Sequence, residues 1–219
     1  MAYVLVFVEL ILLFFLSILL TRELSKMLYR ITKNKKLTIT ILAILFFPGV
    51  VVHELAHLIV ANLLLVKTGE IEFLPVMNGN EVKLGSVAIA KTDPIRRFFI
   101  GAAPIIAGIM LIAGSFLVLE MQIVNTLWKQ ILFGYILFVI GNTMYSSRKD
   151  MEGALELFAT IGIILLIGFL MGISFSPPAI TLNIDISEQI KNLNLFLLLP
   201  IGIDIAVISC SLITRRVLM

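Results

Sequence analysis

Cysteine, histidine and charge are all scarce in this chain of 219 residues. The single cysteine, Cys210, excludes an intrachain disulfide and a cysteine zinc cluster, and in its apolar surroundings it reads as a small buried hydrophobe. Charged residues make up 14% of the chain, against about a quarter in soluble domains. That shortage excludes an ordinary soluble fold. Lys and Arg total 17 against 14 Asp and Glu, and the basic residues are spread over several segments without forming a stripe. No nucleic-acid footprint follows from such a distribution.

What is present is apolar surface. Hydrophobic residues are 60% of the chain, and a bilayer crossing needs about 20 of them in a row. The hydropathy pattern predicts an α-helical polytopic membrane protein, one integral domain over 1–219, with six spans near residues 2–20, 38–66, 97–120, 128–145, 154–173 and 193–214. The first run has no basic residue before it and "TRELSKMLYRITKNKK" after it, so it reads as a retained helix and not as a cleaved signal. Between spans two and three, "GEIEFLPVMNGNEVKLGSVAIAK" is rich in β-branched residues and carries Asn78-Gly79, which predicts a short β-hairpin. Pro75 predicts that its first strand is an edge or ends there. Pro177-Pro178 opens an exposed connector before the last span. Six spans would divide the basic residues almost evenly between the two faces, so the positive-inside rule does not orient the chain, although six basic residues in 22–36 favour a cytoplasmic first loop.

One stretch breaks the apolar pattern of its span. In "FFPGVVVHELAHLIVANLLL", residues 46–65, two histidines and a glutamate stand where a charge at bilayer depth costs at least about 2.5 kcal/mol. Pro48 removes one helical donor just before them. His53 and His57 are four apart, which on a helix brings both imidazoles to one face, where they can share a zinc ion. Glu54 is then placed to take a proton from water and pass it to a leaving amine, as in the HExxH motif of zinc proteases. Chance placement of the two histidines with that spacing and that glutamate is of order one in two thousand.

Two histidines leave the metal short of a ligand, and no third histidine exists. The choice falls among Glu9, Glu120, Asp150, Glu152, Glu156, Asp204 and Cys210. His57 lies nine residues before the expected end of span two, so the site is expected roughly 13 Å from the hairpin face. The loop after span four returns to that face, and Asp150 in this loop is the best placed third ligand; the alternative for it is a helix N-cap beside Arg148 and Lys149. Glu9 and Asp204 read as hydrogen-bonded carboxyls facing the bundle, the alternative for each being a gate or a proton path.

"VVHELAHLIVANLL" on a membrane helix, then a hairpin, then "GAAPIIAG", then Asn and Asp eight apart in "NTMYSSRKD", resemble the site-2 proteases, the intramembrane zinc metalloproteases. The resemblance covers roughly residues 46–156. It implies that Asp150 completes the zinc site and that Asn142 orients substrate or contacts an oxyanion. It also implies that the hairpin side is cytosolic and that an edge strand there holds an unwound substrate segment. The chain departs from the family pattern at Tyr145, where Pro is usual, and at Met151, where Gly is usual. Gly101 and Pro104 in "GAAP" are similar to a Gly-Pro pair of the family, and equally describe a small-residue helix kink.

The expected activity is therefore zinc-dependent endoproteolysis of transmembrane proteins or remnant peptides by a multi-pass protein of the cell membrane. The alternative is a non-proteolytic membrane protein, either a metal-binding transporter or a protease-derived scaffold. An intact Glu54 argues against the alternative, since neither transport nor scaffolding needs a base there.

Overall fold

A computed structural model describes residues 2–73, 75–78, 81–145, 150, 163, 167 and 187–217. Among them the chain is mostly helical, with α1 (Ala2–Thr32), α2 (Lys35–Leu63), α3 (Pro94–Glu120), α4 (Leu127–Thr143) and α5 (Ser187–Val217). Four of these helices, α1, α2, α3 and α5, contain stretches long and apolar enough to cross a membrane. Helix α4 has 17 residues, which is at the lower limit for a crossing. The expected fifth span at 154–173 lies outside the described residues, apart from Ile163 and Ile167, which are helical.

The first helix runs a dozen residues beyond its expected end. Charge stops a hydropathy pattern at Thr21, but "RELSKMLYR" is made of good helix formers, and a Glu23–Lys26 ion pair at 2.6 Å spans one turn of it. The helix stops where Lys33 turns to φ 51°. Asn34 then caps α2, its side chain accepting from the Leu37 amide at 3.2 Å. The expected loop at 21–37 is thus a two-residue turn between two long helices. At the other end, α5 begins at Ser187, so the last part of the expected connector is helical.

Helix α2 is continuous through Pro48. A proline there leaves the Ile44 carbonyl without its helical donor. One residue on, the Leu45 carbonyl accepts from the Tyr135 hydroxyl at 2.7 Å, which ties α2 to α4 beside the interruption.

Between α2 and α3 lie four short strands, β1 (Thr68–Glu72), β2 (Val76–Asn78), β3 (Glu81–Lys83) and β4 (Ser86–Ile89). β1 pairs antiparallel with β4, and β2 antiparallel with β3, with Asn78 opposite Glu81. β1 ends three residues before Pro75, which stands outside both sheets.

The bundle is apolar outside and carries polar groups within. Phe7, Ile44, Leu63 and Met110 are more than 60% exposed, whereas Glu9, Ser17, Glu54, His57, Ser115 and Asp204 are buried. Water would penalise such an exterior and lipid does not. One core cluster joins Leu13 of α1, Ile112 of α3, Leu137 and Ile140 of α4, and Leu197 of α5. A second joins Leu20 of α1, Phe46 and Val50 of α2, Val139 of α4 and Ile208 of α5. α4 contributes to both clusters, so its C-terminal end is held from several directions. That end reaches the histidines.

Candidate metal centre

His53 and His57 project from α2 with ring centroids 4.9 Å apart and planes at 76°. Each ring is anchored through Nδ1 to a backbone carbonyl. His53 Nδ1 lies 2.6 Å from Thr143 O, and His57 Nδ1 lies 2.8 Å from Ile100 O. A carbonyl only accepts, so both neutral rings carry their hydrogen on Nδ1 and present a lone pair at Nε2.

Both carbonyls are available for a structural reason. Thr143 is the last residue of α4, where carbonyls have no intrahelical donor. Ile100 lies four residues before Pro104, and Pro104 has no amide hydrogen to give it. A helix end and a proline thus supply the two acceptors that fix the imidazoles.

The Nε2 atoms stand 3.2 Å apart. Asp150 Oδ2 lies 4.0 Å from His53 Nε2 and 3.7 Å from His57 Nε2. Tetrahedral zinc with bonds of 2.0–2.1 Å has donor atoms about 3.3 Å apart. The histidine pair matches that separation, and the carboxylate oxygen stands less than 1 Å beyond it at 3.7 and 4.0 Å. With both rings neutral, three lone-pair donors converge in an arrangement that fits a cation, and His53, His57 and Asp150 can together hold a metal ion. The backbone carbonyls behind both rings are the outer partners that metal-bound histidines regularly have.

Two glycines permit the approach of the elements that carry these groups. A Cβ on Gly49 would meet Thr143 Oγ1 and come within 2.7 Å of Val139 Cγ1, so its absence lets α4 close on α2 and deliver the Thr143 carbonyl. A Cβ on Gly101 would run into the Asp150 carbonyl. Asp150 therefore rests against bare α3 backbone, one residue beyond the Ile100 carbonyl that anchors His57.

Glu54 is buried on α2 next to His53. Gly85, between β3 and β4, lies over it, and a Cβ there would stand 3.1 Å from Glu54 Oε1. His57 is six residues from the end of α2 at Leu63, which puts the centre roughly 9 Å from that end, shallower than an end at Val66 implies. The His53 and Asp150 side chains keep 14% and 21% of their surface exposed, whereas the His57 side chain keeps 5%.

The remaining candidates lie elsewhere or outside the described residues. Glu9 is buried on α1, Glu120 ends α3, and Cys210 is exposed on α5; none joins the three-residue group. Glu152 and Glu156 are outside the described residues. Asn142 donates from Nδ2 to Asp204 Oδ1 at 2.9 Å and to Phe138 O at 3.0 Å. The Ile100 and Thr143 carbonyls were not foreseen, because a backbone group leaves no trace in residue identity. Pro104, four residues after Ile100, is the one sequence signal that could have pointed to one of them. Comparison of the chain with protein-family models, with curated proteins and with solved structures finds no match.

Proposed function

We propose that this protein is a zinc-dependent intramembrane endopeptidase of the site-2 protease type. The observation that carries the reading is the convergence of His53 Nε2, His57 Nε2 and Asp150 Oδ2 beside buried Glu54, on a helix long and apolar enough to cross a membrane. In this reading the chain crosses the cell membrane six times, with 154–173 as the fifth span and the hairpin side cytosolic.

His53, His57 and Asp150 would hold the zinc. When bound, it supplies a Lewis acid that makes water nucleophilic near neutral pH. Glu54 takes the proton from the attacking water and returns it to the leaving amine, a general base and then a general acid. Thr143 and Ile100 keep both imidazoles turned for ligation throughout. A substrate helix hides its amides, so the scissile segment must unwind, and a strand edge of the hairpin region satisfies the backbone groups it exposes. Gly85 brings that region against Glu54, which supports a role for the base next to an extended peptide added there. Asn142 contacts the substrate.

The test uses purified full-length protein in detergent. Zinc is measured per chain, and cleavage of a fluorophore–quencher peptide containing one apolar 20-residue segment is compared between wild type and Glu54→Gln. The reading expects about one zinc in both proteins and cleavage only in the wild type. Zinc retained with no cleavage by either protein, or equal cleavage by both, would overturn it.

A further inference from the structure

A second polar group lies in the bundle apart from the metal centre. Asp204 on α5 is fully buried, and its Oδ1 accepts from Asn142 Nδ2 at 2.9 Å. The other Nδ2 hydrogen goes to Phe138 O at 3.0 Å. An amide nitrogen has two hydrogens, so both are spent. The amide cannot be turned over without setting its oxygen against two acceptors, the Phe138 carbonyl and the Asp204 carboxylate. Its orientation is thereby fixed.

One polar atom of Asn142 is left. Its Oδ1 is buried and has no hydrogen-bond partner among the described residues. Buried acceptors are rarely left unmade in native proteins, and such an orphan calls for an explanation. The adjacent residue, Thr143, holds His53 in place. The orphan therefore belongs to a side chain rooted one residue from the metal centre, at the C-terminal end of α4.

We propose that Asp204 is a positioning residue that commits Asn142 to accepting a hydrogen bond, and that the missing donor is a backbone N–H of the unwound substrate. This deepens the protease reading and rests on it. With both Nδ2 hydrogens engaged, Asn142 does not donate to an oxyanion. It binds substrate. Loss of the Asp204 oxygen frees one hydrogen, lets the amide rotate, and removes the fixed acceptor from the substrate strand.

The test is a kinetic cycle on the zinc-loaded full chain. The parent fluorophore–quencher peptide is compared with a set in which each backbone amide near the scissile bond is N-methylated in turn, so that one N–H at a time is lost. In wild type, one position is expected to raise KM roughly 3- to 10-fold, as loss of one hydrogen bond does, with kcat little changed. Asp204→Leu raises KM for the parent peptide by a similar factor and is blind to methylation at that position. Asp204→Asn still offers an oxygen to Nδ2 and recovers both the KM and the methylation effect. Methylation effects that persist unchanged in Asp204→Leu overturn the proposal. If that variant fails to fold, an Asp204→Asn protein whose KM rises by the full factor and which no longer responds to methylation overturns it alone. Absence of any cleavage by zinc-loaded wild type is a different result and overturns the protease reading together with this one.

Discussion

The metal centre and the Asn142–Asp204 pair are both polar groups inside an apolar bundle, and they are held in opposite ways. At the metal centre the fixed partners are backbone carbonyls, Thr143 O and Ile100 O, and three side-chain lone pairs are left converging on one point. At the pair, side chain holds side chain, and the acceptors left over, Asn142 Oδ1 and Asp204 Oδ2, lack any donor among the described residues. Three converging lone pairs ask for a cation. A lone amide oxygen asks for an N–H. The contrast teaches that the chemistry of a buried site is legible in what its hydrogen bonds leave unsatisfied.

Each expected outcome tests that contrast, and the largest effects are at the metal centre. Glu54→Gln should lower kcat by about 10²–10⁴-fold, the usual worth of a general acid–base residue, while zinc measured by atomic absorption stays at the wild-type level. Zinc lost along with activity would make Glu54 part of the metal's support and not its base. Asp150→Ala should drop zinc below half occupancy in protein dialysed against dilute chelator, since two histidines alone make an incomplete site. Full retention would move the third ligand elsewhere.

Pro104→Ala should weaken zinc binding by about tenfold, the low end for loss of an outer partner. The new amide hydrogen competes for the Ile100 carbonyl that anchors His57. Chelator competition measures it, and an unchanged affinity would detach the proline from the metal centre.

The smallest effect lies at the N-terminal cap of α3. Asp93 caps α3, accepting from the Arg96 amide at 3.0 Å, and that bond holds its carboxyl below the usual carboxylate range. A depressed folded-state pKa means the cap stabilises fully above the usual range and is lost as pH falls through the lowered value. The Tm of Asp93→Ala in detergent should therefore sit slightly below wild type at neutral pH, and the gap should close in acid. A gap independent of pH would show that the charge of Asp93 is not what caps the helix.

How far the site could be read from sequence depended on distance along the chain. His53 and His57 lie one turn apart on one helix, and their spacing alone puts them on one face, with Glu54 adjacent to the first. Asp150 was selected on loop position and resemblance, and its approach to the histidines depends on Gly101, whose bare backbone sequence reasoning treated as a kink. Asp204 was seen as a buried carboxyl, but its partner is 62 residues away and no pattern links them. The long α1 was missed because hydropathy ends where charge begins, whereas helix propensity runs on to Lys33. Four helices long and apolar enough to cross a membrane were legible, since length and composition are read directly from the residues.

The proline in α3 has one more consequence. The carbonyl it frees belongs to the α3 backbone and is taken by the His57 imidazole, so a metal ion held at His57 and the local order of α3 are coupled, and linkage makes the coupling reciprocal. Metal loading should tighten α3 around Ile100, and anything that bends α3 there should loosen the metal by the same factor.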